Sequence, residues 1–260
     1  MSLLLKMPRK DRRGSKPRCH ILTHGTRNEV AERLTSLIAP FGSVTENDVW
    51  MPEGFASLIE AQLHDAPRLL DASIGRDLQR WWLAVTHANA KTPNLDIAST
   101  CTIDGRPGLL LVEAKAHHGE LEAEAAGKRL RVDASAGSVA NHDQIGRAIE
   151  QARLALSQST GRPWGISRDF HYQMSNRFAW AWRVTSAGIP VVLVYLGFLD
   201  AEEMTDGLRR LLSSHDDWTN SVMNQSRALV EPGLWNTAFS SGRATMAPLI
   251  RSLRVDIADQ

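Results

Sequence analysis

The amino-acid sequence predicts an α/β protein, and two observations carry this prediction. First, two strand-like runs, residues 95–103 and 108–117, flank the hairpin turn signal Asp-Gly followed by Pro within residues 104–107. Second, the apolar run at residues 189–198 follows a helical pattern at residues 172–186, and such a run is typical of a strand buried on both faces. A hairpin, a helix and a buried strand together predict a sheet flanked by helices.

Composition places the 260-residue chain among ordinary globular proteins, with 43% apolar and 23% charged residues. The formal net charge is +1, so any attraction to phosphates must come from a local patch. No apolar run approaches the roughly 20 residues that span a bilayer, and two cysteines, Cys19 and Cys101, are too few for a disulfide framework. We therefore expect a cytoplasmic protein with no membrane partner.

Residues 1–19 are predicted to form a flexible basic arm. Seven Lys and Arg residues lie between positions 6 and 18 against one acid, Asp11, and two prolines and a glycine interrupt the segment. Such an arm could follow a phosphate backbone. The alternative is a solvated tail without a specific role.

Residues 20–92 are predicted to form an N-terminal, mostly helical part of the domain. Thr26 and Glu29 make a capping-box pattern at the start of one helix. Trp81 and Trp82 lie at helical spacing with other apolar residues, which favours core packing over a base-stacking platform. The expected elements are a strand at residues 20–23, helices at 27–38, 54–64 and 74–87, and, as one option for the first strand of the sheet, residues 44–50.

The hairpin carries two charges directly after its apolar run. Glu113 and Lys115 follow four consecutive apolar residues, and since side chains alternate along a strand they point to the same face. If the turn is a four-residue loop, Ile103 faces Gly108 and Asp96 lies opposite Lys115. Asp96, Glu113 and Lys115 then share one face of the two-stranded ribbon.

This combination of charges is typical of a metal site. Charged groups beside a buried strand are costly unless they pair, or unless they line a cleft that holds a cation. Mg²⁺ takes oxygen ligands and usually only one or two protein carboxylates. A neighbouring Lys can hold or help to deprotonate the water that attacks a phosphodiester. The alternative is a surface ion pair on an edge hairpin.

The segments after the hairpin are predicted from their apolar stripes and stop signals. The structure of residues 121–137 is left open, and His215 to Asp217 are interpreted as a loop and helix start rather than a metal cluster. Residues 93–200 form the expected core and residues 201–260 a helical extension. The expected elements are helices at residues 141–157, 172–186 and 200–212, a strand at 189–198, and a terminal helical stretch at 246–253.

Asp96, with Glu113-Ala114-Lys115 seventeen positions later, resembles the core motif of the PD-(D/E)XK nuclease superfamily. The resemblance covers residues 93–199, and it departs from the family pattern in reading Pro-Asn-Leu-Asp where Pro-Asp is usual. It implies a restriction-endonuclease-like αβββαβ core, a mixed sheet flanked by helices, with helical additions at both ends of the chain. It also implies Mg²⁺, replaceable by Mn²⁺, held by Asp96, Glu113 and the backbone carbonyl of Ala114, with Lys115 acting on the attacking water.

Three further residues are candidates for the same site. Members of the resembled family often add a Glu from a helix before the hairpin, and Glu60 is the candidate here, with an exposed helix position as the alternative. Gln173 and Arg177 lie one turn apart on the helix that leads into the last core strand, where amide and guanidinium groups can meet a phosphate. For Arg177 the alternative is a salt bridge to a surface acid.

These observations predict a magnesium-dependent nuclease that acts on DNA. The expected partner is therefore nucleic acid, and a homodimer is an option because double-strand cleavage by the resembled fold commonly uses two active sites. One alternative is a non-catalytic module of the same fold that binds nucleic acid or protein. Another is an unrelated α+β protein in which Asp96, Glu113 and Lys115 form a structural salt bridge.

Overall fold

The computed structural model describes residues 3–86, 90–205 and 209–257. The strands in these ranges are β1 (Trp50–Met51), β2 (Ile97–Ile103), β3 (Arg106–Lys115), β4 (Val191–Leu199), β5 (Phe239–Ser241) and β6 (Ala244–Arg254). The α-helices are α1 (Ser15–Leu22), α2 (Arg27–Ile38), α3 (Ala72–Trp82), α4 (His118–Ala123), α5 (Ala136–Thr160), α6 (Tyr172–Ser186) and α7 (His215–Ser226).

The strands form one mixed sheet in the order β1-β2-β3-β4-β6-β5. The first three strands are antiparallel neighbours. β3, β4 and β6 run parallel, and β5 is antiparallel to β6. Helices α5 and α6 provide the long crossover that a parallel β3–β4 pair requires. The predicted α/β class is confirmed.

Helices cover both faces of the sheet. Apolar residues of α1 and α2 pack with one side of β2, β3 and β4, while α3, α5, α6 and α7 cover the other side. All nine residues of β4 are buried, as the apolar run predicted. Trp81 and Trp82 lie in the core, 8% and 0% exposed, against Trp180. Within the described ranges no helix has the length and apolar character needed to cross a bilayer.

Two predicted helix starts are confirmed in detail. Thr26 and Glu29 form the capping box of α2, in which each side chain binds the backbone N–H of the other. His215 to Asp217 open α7, where the side chain of Ser214 accepts a hydrogen bond from the N–H of Asp217. In both cases a local pattern sets the boundary, so no distant contact is needed to predict it.

The hairpin is tighter than predicted. Asp104 and Gly105 alone form the turn, with φ angles of 49° and 71°, and Ile103 pairs with Arg106 rather than with Gly108. Partners along the two strands are therefore shifted by two residues, and the register brings Asp96 across from Glu113 instead of Lys115. Because the shift is even, the residues within the paired strands keep the faces that the prediction gave them, while Asp96 lies one position before β2.

The prediction of a flexible basic arm at residues 1–19 is wrong for the described part of that segment. Residues 3–6 and 9–11 form 3-10 turns, and α1 occupies positions 15–22, so the strand predicted at residues 20–23 is wrong as well. The reason is burial: Met7 and Arg18 are each 2% exposed, and the Arg18 guanidinium pairs with Glu203 at 2.5 and 2.9 Å. A carboxylate more than 180 positions away holds the segment down.

The N-terminal part also departs from prediction in its middle. Residues 54–64 do not form a helix, because Ser57 and Ala61 make isolated β-bridges and Gly54 has a φ of 54°. The first strand is only Trp50–Met51, and an isolated bridge at Ser43 accompanies it. Helix α3 ends at position 82, five residues earlier than predicted; the predicted end, His87, lies outside the described residues.

The predicted C-terminal helical extension is only partly helical, since it contains α7 but ends in the strands β5 and β6. Positions 246–253, expected to be helical, belong to β6, which pairs with β4 along nine residues. Pro248 lacks the N–H that a helix interior requires, and the apolar run gains more by extending the sheet. The helix predicted at residues 200–212 is a single 3-10 turn at Glu202–Met204 among the described residues; positions 206–208 lie outside them.

Candidate active site

The candidate site lies where β3 and β4 end together. Glu113 and Lys115 occupy alternate positions at the end of β3, and Tyr195 of β4 is the register partner of Glu113. Helix α6 packs against this end of the sheet and brings Gln173 and Arg177, one turn apart, onto the same carboxylate. Parallel strands end at a common edge, so a continuous apolar run followed by charged residues delivers those charges to one place.

Glu113 is the centre of the cluster. Its Oε1 accepts hydrogen bonds from Lys115 Nζ at 2.5 Å and from Gln173 Nε2 at 2.5 Å, and its Oε2 accepts one from Arg177 Nε at 2.6 Å. The residue is 1% exposed. Burial alone would raise its pKa, but the adjacent charges of Arg177 and Lys115 outweigh burial and hold the pKa below its ordinary value. Glu113 is therefore an ionised carboxylate in the protein interior.

Lys115 is held as a cation between two acids. Its Nζ lies 2.5 Å from Glu113 Oε1 and 2.8 Å from Glu124 Oε1. Burial would lower the pKa of the ammonium group, but the charges of Glu113 and Glu124 raise it above its ordinary value. In this arrangement Lys115 is a buried cationic hydrogen-bond donor.

Glu124 was missed by the sequence reasoning. It follows α4 and is 2% exposed, and neither of its oxygens accepts a well-aligned hydrogen bond from the described residues. Burial raises its pKa to about 7, although the Lys115 charge opposes the rise. The sequence of this acidic, Ala-rich segment does not distinguish Glu124 from the other acids in it. Glu124 reaches Lys115 only because α4 and the following turn fold it back against the end of β3.

Asp96 stands at the edge of this cluster. The β2–β3 ladder ends at Ile97, and the Asp96 carboxylate continues it by accepting a hydrogen bond from the N–H of Ala114 at 2.7 Å. Burial and the neighbouring charge of Glu113 raise its pKa to about 7. No ion pair within the described residues joins Asp96 to Lys115. The structure therefore joins Glu113 and Lys115 directly and places Asp96 beside them through the backbone of Ala114.

Arg177 is bound to an interior acid rather than to the surface acid that the alternative expected. It is 7% exposed, so it is not paired with a surface acid, and its Nε is bound to Glu113 while its Nη1 donates to Asn176 Oδ1 at 2.6 Å. Gln173 also binds Glu113. These two side chains hold the candidate catalytic carboxylate in place, which makes them positioning residues.

Glu60 is not part of the cluster. The helix on which it was predicted is absent, and its carboxylate binds Lys16 Nζ at 3.0 Å and Asn94 Nδ2 at 3.0 Å. It links α1 to the segment that leads into β2, two positions before Asp96. Its contacts make it a structural tie near the site.

The cluster has many carboxylate oxygens, which could serve as metal ligands, and few positive charges. Three carboxylates, those of Asp96, Glu113 and Glu124, face two cations, Lys115 and Arg177. Among the described residues no group of three or more His, Cys, Asp or Glu side chains has the arrangement of a metal site. The Tyr195 hydroxyl, whose pKa burial and the Glu124 charge raise, is buried without a hydrogen-bond partner in the described part of the chain. A buried hydroxyl without a partner, beside carboxylates with too little positive charge around them, is an environment in which a bound cation or water would supply the missing contacts.

The chain was compared with known proteins in three ways. A scan against protein-family models, a search of curated proteins and a search of solved structures each returned no match.

Proposed function

We propose that this chain is a divalent-metal-dependent nuclease that hydrolyses phosphodiester bonds of DNA in the manner of the PD-(D/E)XK superfamily. The observation that carries the proposal is the junction at the end of β3, where two carboxyls of the motif, Asp96 and Glu113, lie beside a buried ammonium group. The chain order supports it: three antiparallel strands, then the helices α4 to α6, then a strand parallel to the third are compatible with a restriction-endonuclease-like core in which α4 and α5 are additions.

The residues present fit a magnesium ion. Asp96 and Glu113 would hold it, with the carbonyl of Ala114 as third ligand, and Mn²⁺ would substitute. The supporting observation is that Asp96 and Glu124 both have a pKa of about 7. Burial and the charge of Glu113 raise these pKa values more than the charges of Lys115 and Arg177 lower them, so a further cation would stabilise the ionised carboxylates. A carboxylate has about four lone-pair sites and Glu113 uses three, so one remains. When bound, Mg²⁺ would polarise the scissile phosphate and lower the pKa of water.

The roles of the chain's own residues follow from their contacts. Lys115 would donate to the attacking water or to a phosphate oxygen, since it stays cationic between two acids. Arg177 and Gln173 fix both oxygens of Glu113, so that this carboxylate cannot rotate away. Glu124 keeps Lys115 directed toward the cluster.

One observation favours the alternative, a non-catalytic module that binds nucleic acid or protein. Both oxygens of Glu113 are already engaged by Lys115, Gln173 and Arg177, and each of these residues is buried or half-buried. A carboxylate with three of its lone-pair sites engaged is also what a purely structural ion-pair network would contain. The two functions differ in their response to metal.

The test is cleavage of supercoiled, linear and single-stranded DNA with Mg²⁺ or Mn²⁺, together with metal titration. Lys115→Met should reduce cleavage about 10²–10⁴-fold while metal binding remains, because the variant keeps the side-chain volume but loses the group that acts on the water. Asp96→Asn should lose cleavage and metal binding together. Arg76→Ala, on the exposed side of α3, is the control that should leave both unchanged.

Two outcomes would contradict the proposal. Metal binding without cleavage of any substrate between pH 6 and 9 would favour the binding module. Absence of metal binding in the wild type would reduce the cluster to an internal ion-pair network.

A further inference from the structure

A second feature rich in charge lies beside the candidate site. A cavity of about 440 Å³ opens between the irregular segment at residues 128–135, the first turns of α5 and the chain around Leu83 and Lys91. This volume lies within the range of pockets that accept small ligands. The charged and ionisable residues that line it are Lys91, Lys128, Arg129, Arg131, Asp133 and His142.

The cavity has a surplus of positive charge. Arg131 and Asp133 neutralise each other through an ion pair of 2.8 Å. Lys91, Lys128 and Arg129 have no carboxylate partner in the described part of the chain, although the protein as a whole is close to neutral at +1. Three unneutralised cations around one cavity attract an anion.

The environment of Lys128 indicates that the cavity lacks an anion. It is half-buried, its Nζ lies 4.8 Å from the centre of the Tyr172 ring, and burial lowers its pKa. An aromatic face stabilises a cation by about 0.5–2 kcal/mol. A phosphate oxygen would stabilise the ammonium further through a charge-assisted hydrogen bond.

The cavity and the candidate active site are joined by one short, fixed segment. Residues 125–128 are hydrogen-bonded to residues 168–172 through His171 N to Ala125 O at 3.0 Å and Lys128 N to Arg168 O at 2.8 Å. Gly127 approaches Asp169 so closely that a Cβ there would lie 2.0 Å from its carbonyl oxygen. Glu124 of the site precedes Lys128 by four residues, so their Cα atoms are at most ~14 Å apart.

We propose that this cavity binds successive backbone phosphates of a nucleic-acid strand whose scissile bond lies at the Glu113–Lys115 cluster; the second half of this statement rests on the proposed nuclease function. The distance of at most ~14 Å equals the rise of about four base pairs along a duplex axis, at 3.4 Å each. A strand that leaves the candidate site past Tyr172 therefore meets Lys128, Arg129 and Lys91 within a few nucleotides.

The test is binding of a fluorescent 20-nucleotide single strand and of its duplex, measured by anisotropy in EDTA over a series of salt concentrations. The variant is Lys91→Ala/Arg129→Ala, because both side chains are exposed and their removal should not disturb the core. The matched control is Arg76→Ala/Arg227→Ala, which removes two exposed cations that do not line the cavity. The loss of two contacts should make the negative slope of log K against log salt shallower by about 1.4 on the single strand and 1.8 on the duplex. The control variant should match wild type.

The outcomes separate this cavity from the proposed function. EDTA prevents metal-dependent cleavage, so the assay measures binding alone. A chain that never cleaves DNA can therefore still show the predicted slopes. A chain that cleaves DNA but has equal slopes for wild type and cavity variant overturns the cavity alone, as does an equal fall in the control. Inorganic phosphate and dAMP are competitors in a further arm. If either one binds as tightly as the strand and loses binding in the cavity variant, the ligand is a small phosphate compound and the strand assignment is wrong.

Discussion

The protonation of individual side chains decides what the cluster can do. Glu113 is ionised because Arg177 and Lys115 outweigh its burial, whereas Asp96 and Glu124 have pKa values raised to about 7 by the same burial with less compensation. Neighbouring acids with very different pKa values are typical of functional sites. A buried acid with a raised pKa destabilises the fold, so its presence is better explained by function than by structure. Glu124 is the sharpest case, as it has no well-aligned hydrogen bond among the described residues.

At this scale we predict that Glu124→Gln makes the protein more stable at alkaline pH. The pKa of Glu124 is about 7 in the folded chain, above the ordinary value near 4.5. Between these pH values the folded protein holds a proton that the unfolded chain releases, so the free energy of unfolding falls as pH rises. Gln cannot ionise, so the variant should match wild type at pH 5 and exceed it at pH 8 by on the order of 3 kcal/mol, or about 6–12 °C in Tm.

The measurement is thermal unfolding of both proteins from pH 5 to pH 8.5. Glu122→Gln, an exposed neighbour on α4, controls for the loss of one acid. A difference between Glu124→Gln and wild type that is constant with pH, or that shrinks toward alkaline pH, would show that the ammonium of Lys115 compensates Glu124 fully.

Helix α6 supplies half of the cluster from an otherwise apolar helix. Its stripe packs into the core through Phe178 and Trp182, while Gln173 and Arg177 project toward the end of β3. The helix is therefore fixed both by packing and by two hydrogen-bonded contacts to a single carboxylate. A change in the guanidinium geometry should be felt by the whole element.

At the scale of this element we predict that Arg177→Lys lowers Tm. The substitution keeps the charge but removes the planar fork that binds Glu113 and Asn176 together. A buried hydrogen bond to a charged group contributes about 1.5–3 kcal/mol, so Tm should fall by roughly 3–12 °C. Arg183→Lys on the same helix, where the guanidinium lies 5.6 Å from the Trp81 ring, is the control and should change Tm less. Equal Tm values for Arg177→Lys and wild type would mean that the Glu113 contact does not hold α6.

The elements that the sequence predicts well are those with local signals. The bounds of α6 agree with prediction at both ends, and the capping box of α2 is where its residues indicated. The hairpin prediction was wrong in its loop length, because Asp104 and Gly105 adopt positive φ on their own and leave Pro107 in the strand. The error was harmless to the site only because a two-residue shift preserves the strand face.

The parts that could not be predicted depend on distant partners. Strand β6 contains Pro248 and an apolar run that also suits a helix, and only its pairing with β4 makes it a strand. Glu124 has no spacing signal, since it reaches Lys115 through α4 and a turn. Arg177 was predicted to lie near the site, but its partner was not predicted. That partner is Glu113, which the sequence had suggested as a metal ligand rather than as the acceptor of a guanidinium group.

Over the whole molecule, the two ends of the described chain close on each other. Arg18 binds both oxygens of Glu203 and the carbonyl of Val255 at 2.9 Å, and the N–H of Gly14 binds Glu203 Oε1 at 3.1 Å. The basic segment is therefore tied to the chain that follows β4 and β6. Its cations are constrained by the fold, so a role as a freely moving polycation does not follow from their number.

This closure predicts the order of cleavage by trypsin. Trypsin needs a locally unfolded segment around a Lys or Arg, so a flexible arm with seven such residues would be cut first. We expect instead that the bonds after Arg129 and Arg131 are cut first, because both are exposed in a segment without helix or strand, whereas the bond after Arg18 survives inside α1. Glu203→Ala should reverse this order, since it leaves the buried Arg18 guanidinium without its carboxylate and frees the segment. Mass spectrometry of the early fragments decides, and early cleavage after Arg18 in the wild type would restore the flexible arm that the sequence suggested.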